Sequence, residues 1–320
     1  MALRLPVCVL AQPYESHDNL TFALVGGQPL QLALRVPIGA TPEQPVPCVL
    51  WIHGGGWSSG SRLPIPGIAM RLVTERGIAV ASIDYRLTSQ AGQYGGESVI
   101  FPAQIHDVKG AVRWLRANAA TYGLDVTRFG AWGPSAGGHL SALLALSDSN
   151  DQLEGNVGGN LDRSSAIQVF ADYFGPTDLL HMNLLVTTPP GSGIDHDAPG
   201  SPESRLVGWS APGQGVGDIR AHQFDPTDPY PTLVDRITDA DPIVHVEAGD
   251  PPGFIAHGEG DTSVPRACSQ LLAGALAEVG VPHVLRFVAG AGHGALGEAT
   301  DNAAIQFLAA HLAPVDRLRS

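Results

Sequence analysis

A run of apolar residues, Phe129-Gly130-Ala131-Trp132, leads the chain into Gly133-Pro134-Ser135-Ala136-Gly137-Gly138-His139-Leu140, and a helix-forming stretch follows at 140–146. Residues 133–137 fit G-x-S-x-G, a pattern that sets its serine on a sharp strand-to-helix turn. Such a turn crowds side chains against neighbouring backbone, so glycine is useful at Gly133 and Gly137, where no Cβ has to be accommodated. The Ser135 hydroxyl then stands at the N-terminus of a helix, where backbone N–H groups can hold a developing negative charge. In a chain with 39 glycines such a pattern also arises by chance, and by itself the motif is equally a tight turn with an ordinary serine. What decides between the two readings is whether partners for Ser135 stand at compatible places.

The rest of the chain alternates strand-like and helix-like segments, which predicts an α/β fold with a mostly parallel central sheet flanked by helices. Residues 30–36 alternate apolar and polar and read as an early antiparallel strand; 37–47 is a turn-rich connection. Cys48-Val49-Leu50-Trp51-Ile52 is continuously apolar, as a strand covered on both faces should be, and it ends in His53-Gly54-Gly55-Gly56-Trp57. Further strands are expected at 78–83, 128–132, 166–173, 253–257 and 283–288. Helices are expected at 68–76, from Phe101-Pro102 to about 122, at 264–279 and at 300–312. Between 181 and 252 proline, glycine and aspartate become frequent, as in Thr187-Thr188-Pro189-Pro190-Gly191, and only short helices fit. Long irregular stretches inside a compact domain are commonly functional, so 181–252 is read as a cap or lid inserted into a single domain spanning 1–320.

A chain of 320 residues, 44% of them apolar, can bury a large core. Its net charge of −13, without clusters of Lys or Arg, argues against nucleic acid or an anionic membrane surface as partner. No apolar run reaches membrane-spanning length. The first eleven residues carry one basic residue and an apolar run broken by Pro6, a poor signal peptide, so the cytoplasm is the expected location, with a secreted mature form as the alternative. Cys8, Cys48 and Cys268 are odd in number and widely spaced, so neither a disulfide framework nor a metal cluster is expected and they read as buried apolar residues.

A serine hydroxyl is a weak nucleophile until a base takes its proton, and the base works best when an acceptor fixes its ring in one tautomer. Both partners are present in a workable order. After the strand ending near His257 comes Gly258-Glu259-Gly260-Asp261, and after the strand ending at Val288 comes Ala289-Gly290-Ala291-Gly292-His293-Gly294. His293, a loop histidine flanked by glycines one strand after the acid, is the candidate base. Asp261 is the candidate acid, and Glu259, in the same loop, is its rival. The tetrahedral oxyanion needs N–H donors, and Gly55, Gly56 and Ala136 are positioned to supply them. Trp57 and Trp209 are candidates for lining a substrate pocket.

Together, His53-Gly54-Gly55-Gly56-Trp57, Asp84-Tyr85-Arg86-Leu87, Phe101-Pro102-Ala103-Gln104-Ile105-His106-Asp107-Val108 and Gly133-Pro134-Ser135-Ala136-Gly137-Gly138-His139-Leu140 resemble the α/β-hydrolase esterases. The similarity is to the bacterial branch with feruloyl- and acetylxylan-esterase-like enzymes, related to the hormone-sensitive-lipase group. Asp172-Tyr173-Phe174-Gly175-Pro176-Thr177-Asp178-Leu179, Ser201-Pro202-Glu203-Ser204-Arg205-Leu206 and Asp250-Pro251-Pro252 extend it across about 30–311. It implies the α/β-hydrolase fold, a Ser135–Asp261–His293 triad, an oxyanion hole of Gly55, Gly56 and Ala136, and no metal or organic cofactor. Two departures stand out. Pro134 occupies a position where such enzymes usually carry an acidic residue or histidine, and 209–231 is longer than the family pattern. His139, Asp84, Arg86, Asp107 and Asp178 match family positions and read as holding loops beneath the site; His106 and His257 read as packing or surface residues.

The activity implied is that of a serine carboxylic ester hydrolase working through an acyl-enzyme on short-chain or on aryl- or carbohydrate-linked small-molecule esters, as a monomer or homo-oligomer. An arylformamidase-type amide hydrolase would use the same groups. A non-catalytic small-molecule receptor or a protein-interaction module on the same fold would show no turnover.

Overall fold

The computed structural model describes residues 13–96, 98–186 and 193–314. The N-terminal segment with Cys8 and the Pro-rich stretch 187–192 lie outside the described residues. Eight strands form one sheet: β1 (Tyr14–Val25), β2 (Gln28–Pro37), β3 (Val46–Ile52), β4 (Ala79–Ile83), β5 (Leu124–Pro134), β6 (Val169–Tyr173), β7 (Gly253–Gly258) and β8 (His283–Val288). Their order is β1-β2-β4-β3-β5-β6-β7-β8, with the β1–β2 and β2–β4 pairs antiparallel and every pair from β4 to β8 parallel.

The strands read as they do because both faces of the sheet are covered. Along β3, Cys48, Leu50 and Ile52 enter one core while Val49 and Trp51 enter the other. The first core is closed by α2 (Ala103–Ala117), α4 (Ala136–Leu146) and α10 (Ala267–Glu278), and the second by α1 (Gly67–Arg76) and α11 (Glu298–His311). Every residue of α4 is buried, which explains its nearly unbroken apolar sequence. The long helix expected from 101 to about 122 is interrupted at Asn118, whose Nδ2 donates back to Trp114 O at 2.8 Å, leaving a one-turn α3 (Ala119–Tyr122).

β1 escapes the apolar-pattern reading because it is a largely exposed edge strand, Tyr-Glu-Ser-His-Asp-Asn at its start. The signal that marks it is Gly26-Gly27, both at positive φ between paired Val25 and Gln28, as a two-residue hairpin requires. Between β6 and β7 the chain forms α6 (Met182–Leu185), α7 (Pro202–Leu206), α8 (Val216–Ala221) and the ten-residue α9 (Tyr230–Asp239); α5 (Asp151–Glu154) precedes β6. Cys48 and Cys268 are buried free thiols, and burial pushes both up to about 12.

From β3 the chain crosses to β4 on one side, and from β5 to β6 on the other. The C-terminal ends of β3 and β5 therefore bound a topological switch point, the crevice where ligands bind in open α/β sheets. Beyond them lie the glycine loop 53–57 and the Ser135 turn.

Candidate active site

Ser135 joins β5 to α4 with φ 55° and ψ −126°, a conformation that side chains rarely adopt. Such backbone costs about 1–3 kcal/mol and persists where its surroundings impose it. Here Ser135 N–H donates to Tyr173 O at 2.8 Å, and its carbonyl accepts from His139 N–H at 3.0 Å. A Cβ on Gly133 or Gly137 would strike the Ile52 carbonyl, so the glycines let β5, the turn and β3 close on one another.

The three residues separated by 158 positions meet in one hydrogen-bonded line. The Ser135 hydroxyl stands 3.0 Å from His293 Nε2, and His293 Nδ1 stands 2.7 Å from Asp261 Oδ2. With an anionic acceptor at Nδ1, the ring carries its proton there and offers a free lone pair to the serine. The Asp261 carboxylate is buried, which alone would raise its pKa. Hydrogen bonds from His257, His293 and Val264 N–H outweigh that and hold it well below the usual carboxylate range. Ser263 and Val264 N–H fix the other oxygen, Oδ1, at 2.8 and 3.0 Å. Glu259, the rival acid, is exposed, and His293 Nδ1 meets Asp261 instead.

The glycine loop is built for backbone approach. Gly55 and Gly56 have φ of 112° and 56°, and a Cβ on Gly55 would strike Ser59 O. Among the described residues the N–H groups of Gly55, Gly56 and Ala136 donate to no other protein group, so they are open to a ligand. Beneath the loop, His53 stacks on Tyr85 with ring centroids 4.3 Å apart, and the Tyr85 hydroxyl donates to His53 O at 3.0 Å. Trp57 Nε1 donates to His139 Nδ1 at 3.2 Å, and His139 Nε2 donates to Ala240 O at 2.7 Å. This chain ties the glycine loop to the serine helix and to the end of α9. Arg86 grips the buried Asp107 with two nitrogens, 2.8 and 2.9 Å away, as an anchor for the loop after β4.

Ser135, His293, Gly55, Gly56, Ala136 and Trp57 share a cavity of about 500 Å³ with Phe174, Ile194, His196, Pro202 and Glu203. Trp57 reaches it although the residue is only 1% exposed, so it serves packing and lining together. Trp209 corrects the sequence reading, because it does not line this cavity. Its Nε1 donates to Asp218 Oδ2 at 2.7 Å and its ring stands edge-on to Tyr230, which holds α8 to α9.

The BD-FAE family profile matches residues 34–276, three quarters of the chain and every element named above from β3 to β7. The chain belongs to the BD-FAE family. This BD-FAE chain is 29% identical over 243 residues to Esterase LipQ of Mycobacterium tuberculosis, covering 76% of the chain and 48% of that protein. It is 31% identical over 218 residues to Carboxylesterase NlhH of the same organism, covering 68% and 56%. It thus spans about half the length of these curated relatives. Among solved structures, a truncated carbohydrate esterase from gut microbiota superposes with a TM-score of 0.74 at 27% identity, covering 96% of this chain and 99% of that one.

Two features of this BD-FAE site escape a reading of the sequence. His257, taken as a packing or surface residue, is wholly buried, with Nε2 3.2 Å from Asp261 Oδ2 and 3.0 Å from Val264 O, and Nδ1 2.8 Å from Ser269 Oγ. The available signal is a histidine ending an otherwise apolar strand, four residues before the acid. The second is a buried pair, His196 and Glu203, on the cavity wall. Glu203 lies in the 201–206 stretch that extends the resemblance, but it sits in the first turn of a capped helix, where an acidic residue is ordinary, so the pattern gives it no role at the site. Among the described residues no group of three or more His, Cys, Asp or Glu could hold a metal, and no helix is long and apolar enough to cross a membrane.

Proposed function

We propose that the protein is a serine carboxylic ester hydrolase in which Ser135 is the nucleophile, His293 the general base and acid, and Asp261 the group that orients and stabilises the imidazolium. The observation that carries the proposal is the unbroken line Ser135 Oγ–His293 Nε2, His293 Nδ1–Asp261 Oδ2, opening on a cavity walled by the N–H-bearing backbone of Gly55, Gly56 and Ala136.

His293 Nε2 takes the Ser135 proton as Oγ attacks the ester carbonyl. The oxyanion is held by the three N–H groups, each such donor contributing about 3 kcal/mol to lowering the barrier. The alcohol departs with the proton from His293, and water then repeats the sequence on the acyl-enzyme. The chain segment between β6 and β7 supplies Ile194, His196, Pro202 and Glu203 to the cavity, which supports its reading as a cap. A cavity of about 500 Å³ suits acetyl to butyryl esters, including aryl- and carbohydrate-linked ones, over long acyl chains.

The test is hydrolysis of p-nitrophenyl acetate, butyrate and a long-chain homologue by the parent, Ser135→Ala, His293→Ala and Asp261→Asn. The expected result is turnover of the short esters and its collapse by roughly 10⁴- to 10⁶-fold in the variants, since the three groups act as a unit. Unchanged activity in Ser135→Ala would overturn the assignment, and faster N-formyl anilide than ester cleavage by the parent would favour the amide reading.

A further inference from the structure

The cavity wall beside the glycine loop carries two polar side chains that the hydrolytic mechanism does not use. His196 is 1% and Glu203 is 3% exposed, and His196 Nδ1 lies 3.1 Å from Glu203 Oε2. The approach is too oblique for a good hydrogen bond, and neither atom has another partner among the described residues. Buried polar groups are rarely left in this state unless something else completes them.

Their placement is rigid. Ser201 caps α7 through Ser204 N–H, and Ser204 Oγ both donates to Ala198 O and accepts from Val216 N–H. His196 N–H donates to Asn183 Oδ1 at 2.9 Å, and the next residue, Asp197, is gripped by Arg220. Pro202 seats the helix against the oxyanion loop, since a Cβ on Gly56 would meet its ring at 3.2 Å. The pair therefore lines the same cavity as the oxyanion loop, with Glu203 one residue beyond the Pro202 ring that abuts Gly56. Elsewhere the wall is mainly apolar: Trp57, Pro134, Phe174, Pro176, Ile194 and Val264.

From this juxtaposition we infer that His196 and Glu203 form a recognition subsite for a neutral hydroxyl group carried by the substrate close to its scissile ester, an inference that rests on the esterase reading above. A hydroxyl both donates and accepts, so it can pair with the polar edge that Glu203 and His196 present to the cavity, which an alkyl group cannot do. A substrate carboxylate would face Glu203 in a desolvated pocket and be rejected. The substrates selected are esters of polyols, or of hydroxy acids, without a negative charge near the bond that is cut.

The test compares kcat/KM within isosteric pairs: 2-hydroxyethyl acetate against propyl acetate, and ethyl 3-hydroxypropanoate against ethyl butyrate, with 3-acetoxypropanoate as the charged member. A site built to bind a hydroxyl discriminates strongly against the analogue lacking it, so the parent should favour the hydroxylated ester of at least one pair by about tenfold or more and turn over the carboxylate poorly. In Glu203→Gln and His196→Gln that ratio should shrink, in Glu203→Leu it should fall to one or reverse, and in Glu203→Gln the carboxylate ester should gain relative to propyl acetate. Reading the ratio within each variant removes any general loss of activity, and Glu203→Gln keeps the buried shape if Glu203→Leu does not fold. Ratios near one for both pairs in the parent, or ratios unchanged in folded variants, would overturn the inference while p-nitrophenyl acetate turnover leaves the esterase reading standing. Absence of turnover on every ester, p-nitrophenyl acetate included, would overturn both.

Discussion

His257 Nε2 stands 3.2 Å from Asp261 Oδ2, the same carboxylate oxygen that receives His293 Nδ1 at 2.7 Å. Val264 O also faces Nε2, so that nitrogen, with two acceptors before it, carries a proton, and Nδ1 pairs with Ser269 Oγ on the other side of the ring. The His257 ring thus donates to the carboxylate from the buried side while His293 does so from the cavity side.

Removing that donor should loosen Asp261 and, through it, His293. A hydrogen bond to a charged group contributes about 1.5–3 kcal/mol, so His257→Phe is expected to lower kcat by roughly 10- to 100-fold. KM should change little, because His257 does not line the cavity. His257→Gln, which can present an amide N–H near the position of Nε2, should recover part of the loss. Steady-state kinetics beside thermal melts decide the matter: a fall in stability with kcat per folded molecule unchanged would make His257 a packing residue only.

The oxyanion loop gives a second expectation. Gly55→Ala places a Cβ against Ser59 O at a residue with φ 112°, so the loop must shift and its N–H groups lose their aim. A displaced oxyanion donor lowers kcat by about 10²- to 10³-fold. Gly27→Ala is the matched control, since Gly27 also has positive φ (79°) but its Cβ would enter open space in the β1–β2 turn. That variant should lose stability, by about 1 kcal/mol or more, and keep its kcat. Equal kinetic losses in both would show that strain alone, not the position of the donors, is being measured.

How far this site is legible in the sequence follows from what each residue needs. Ser135, Asp261 and His293 stand out because each lies just past an apolar strand in a loop rich in glycine, and turn chemistry leaves a mark on composition. Gly55 and Gly56 are legible for the same reason. The parallel strands β3 to β7 are legible because burial on both faces makes them continuous apolar runs, whereas β1, exposed at an edge, is not. His196, Glu203 and Trp209 are set by how the segment between β6 and β7 folds back, which depends on tertiary contacts such as Arg220 with Asp197 and Arg236 with Val207 O. No periodicity records those contacts. His257 is intermediate: its strand is legible, but its partner across the turn is not.

The last expectation concerns acid. His139 bridges Trp57 and Ala240 as a neutral ring, and burial, offset only in part by its bond to Ala240 O, pushes its pKa from 6.5 down to about 4. Below pH 6.5 the unfolded chain takes up a proton that the folded ring refuses. The stabilisation held by the neutral ring is therefore complete above about pH 6.5 and is lost progressively as pH falls towards 4, roughly 3 kcal/mol in all. Asp172, which burial raises to about 6, acts with the opposite sign over part of that range, so the parent's own curve is a sum. The contribution of His139 is isolated by His139→Gln, which can still accept from Trp57 and donate to Ala240. At pH 7 the parent should melt above the variant, and by pH 4.5 that gap should narrow by several degrees, at about 2–4 °C per kcal/mol for a domain of this size class. Thermal melts of both proteins across that range provide the check, and a gap that stays constant with pH would mean that the ring does not titrate between the folded and unfolded states in this window.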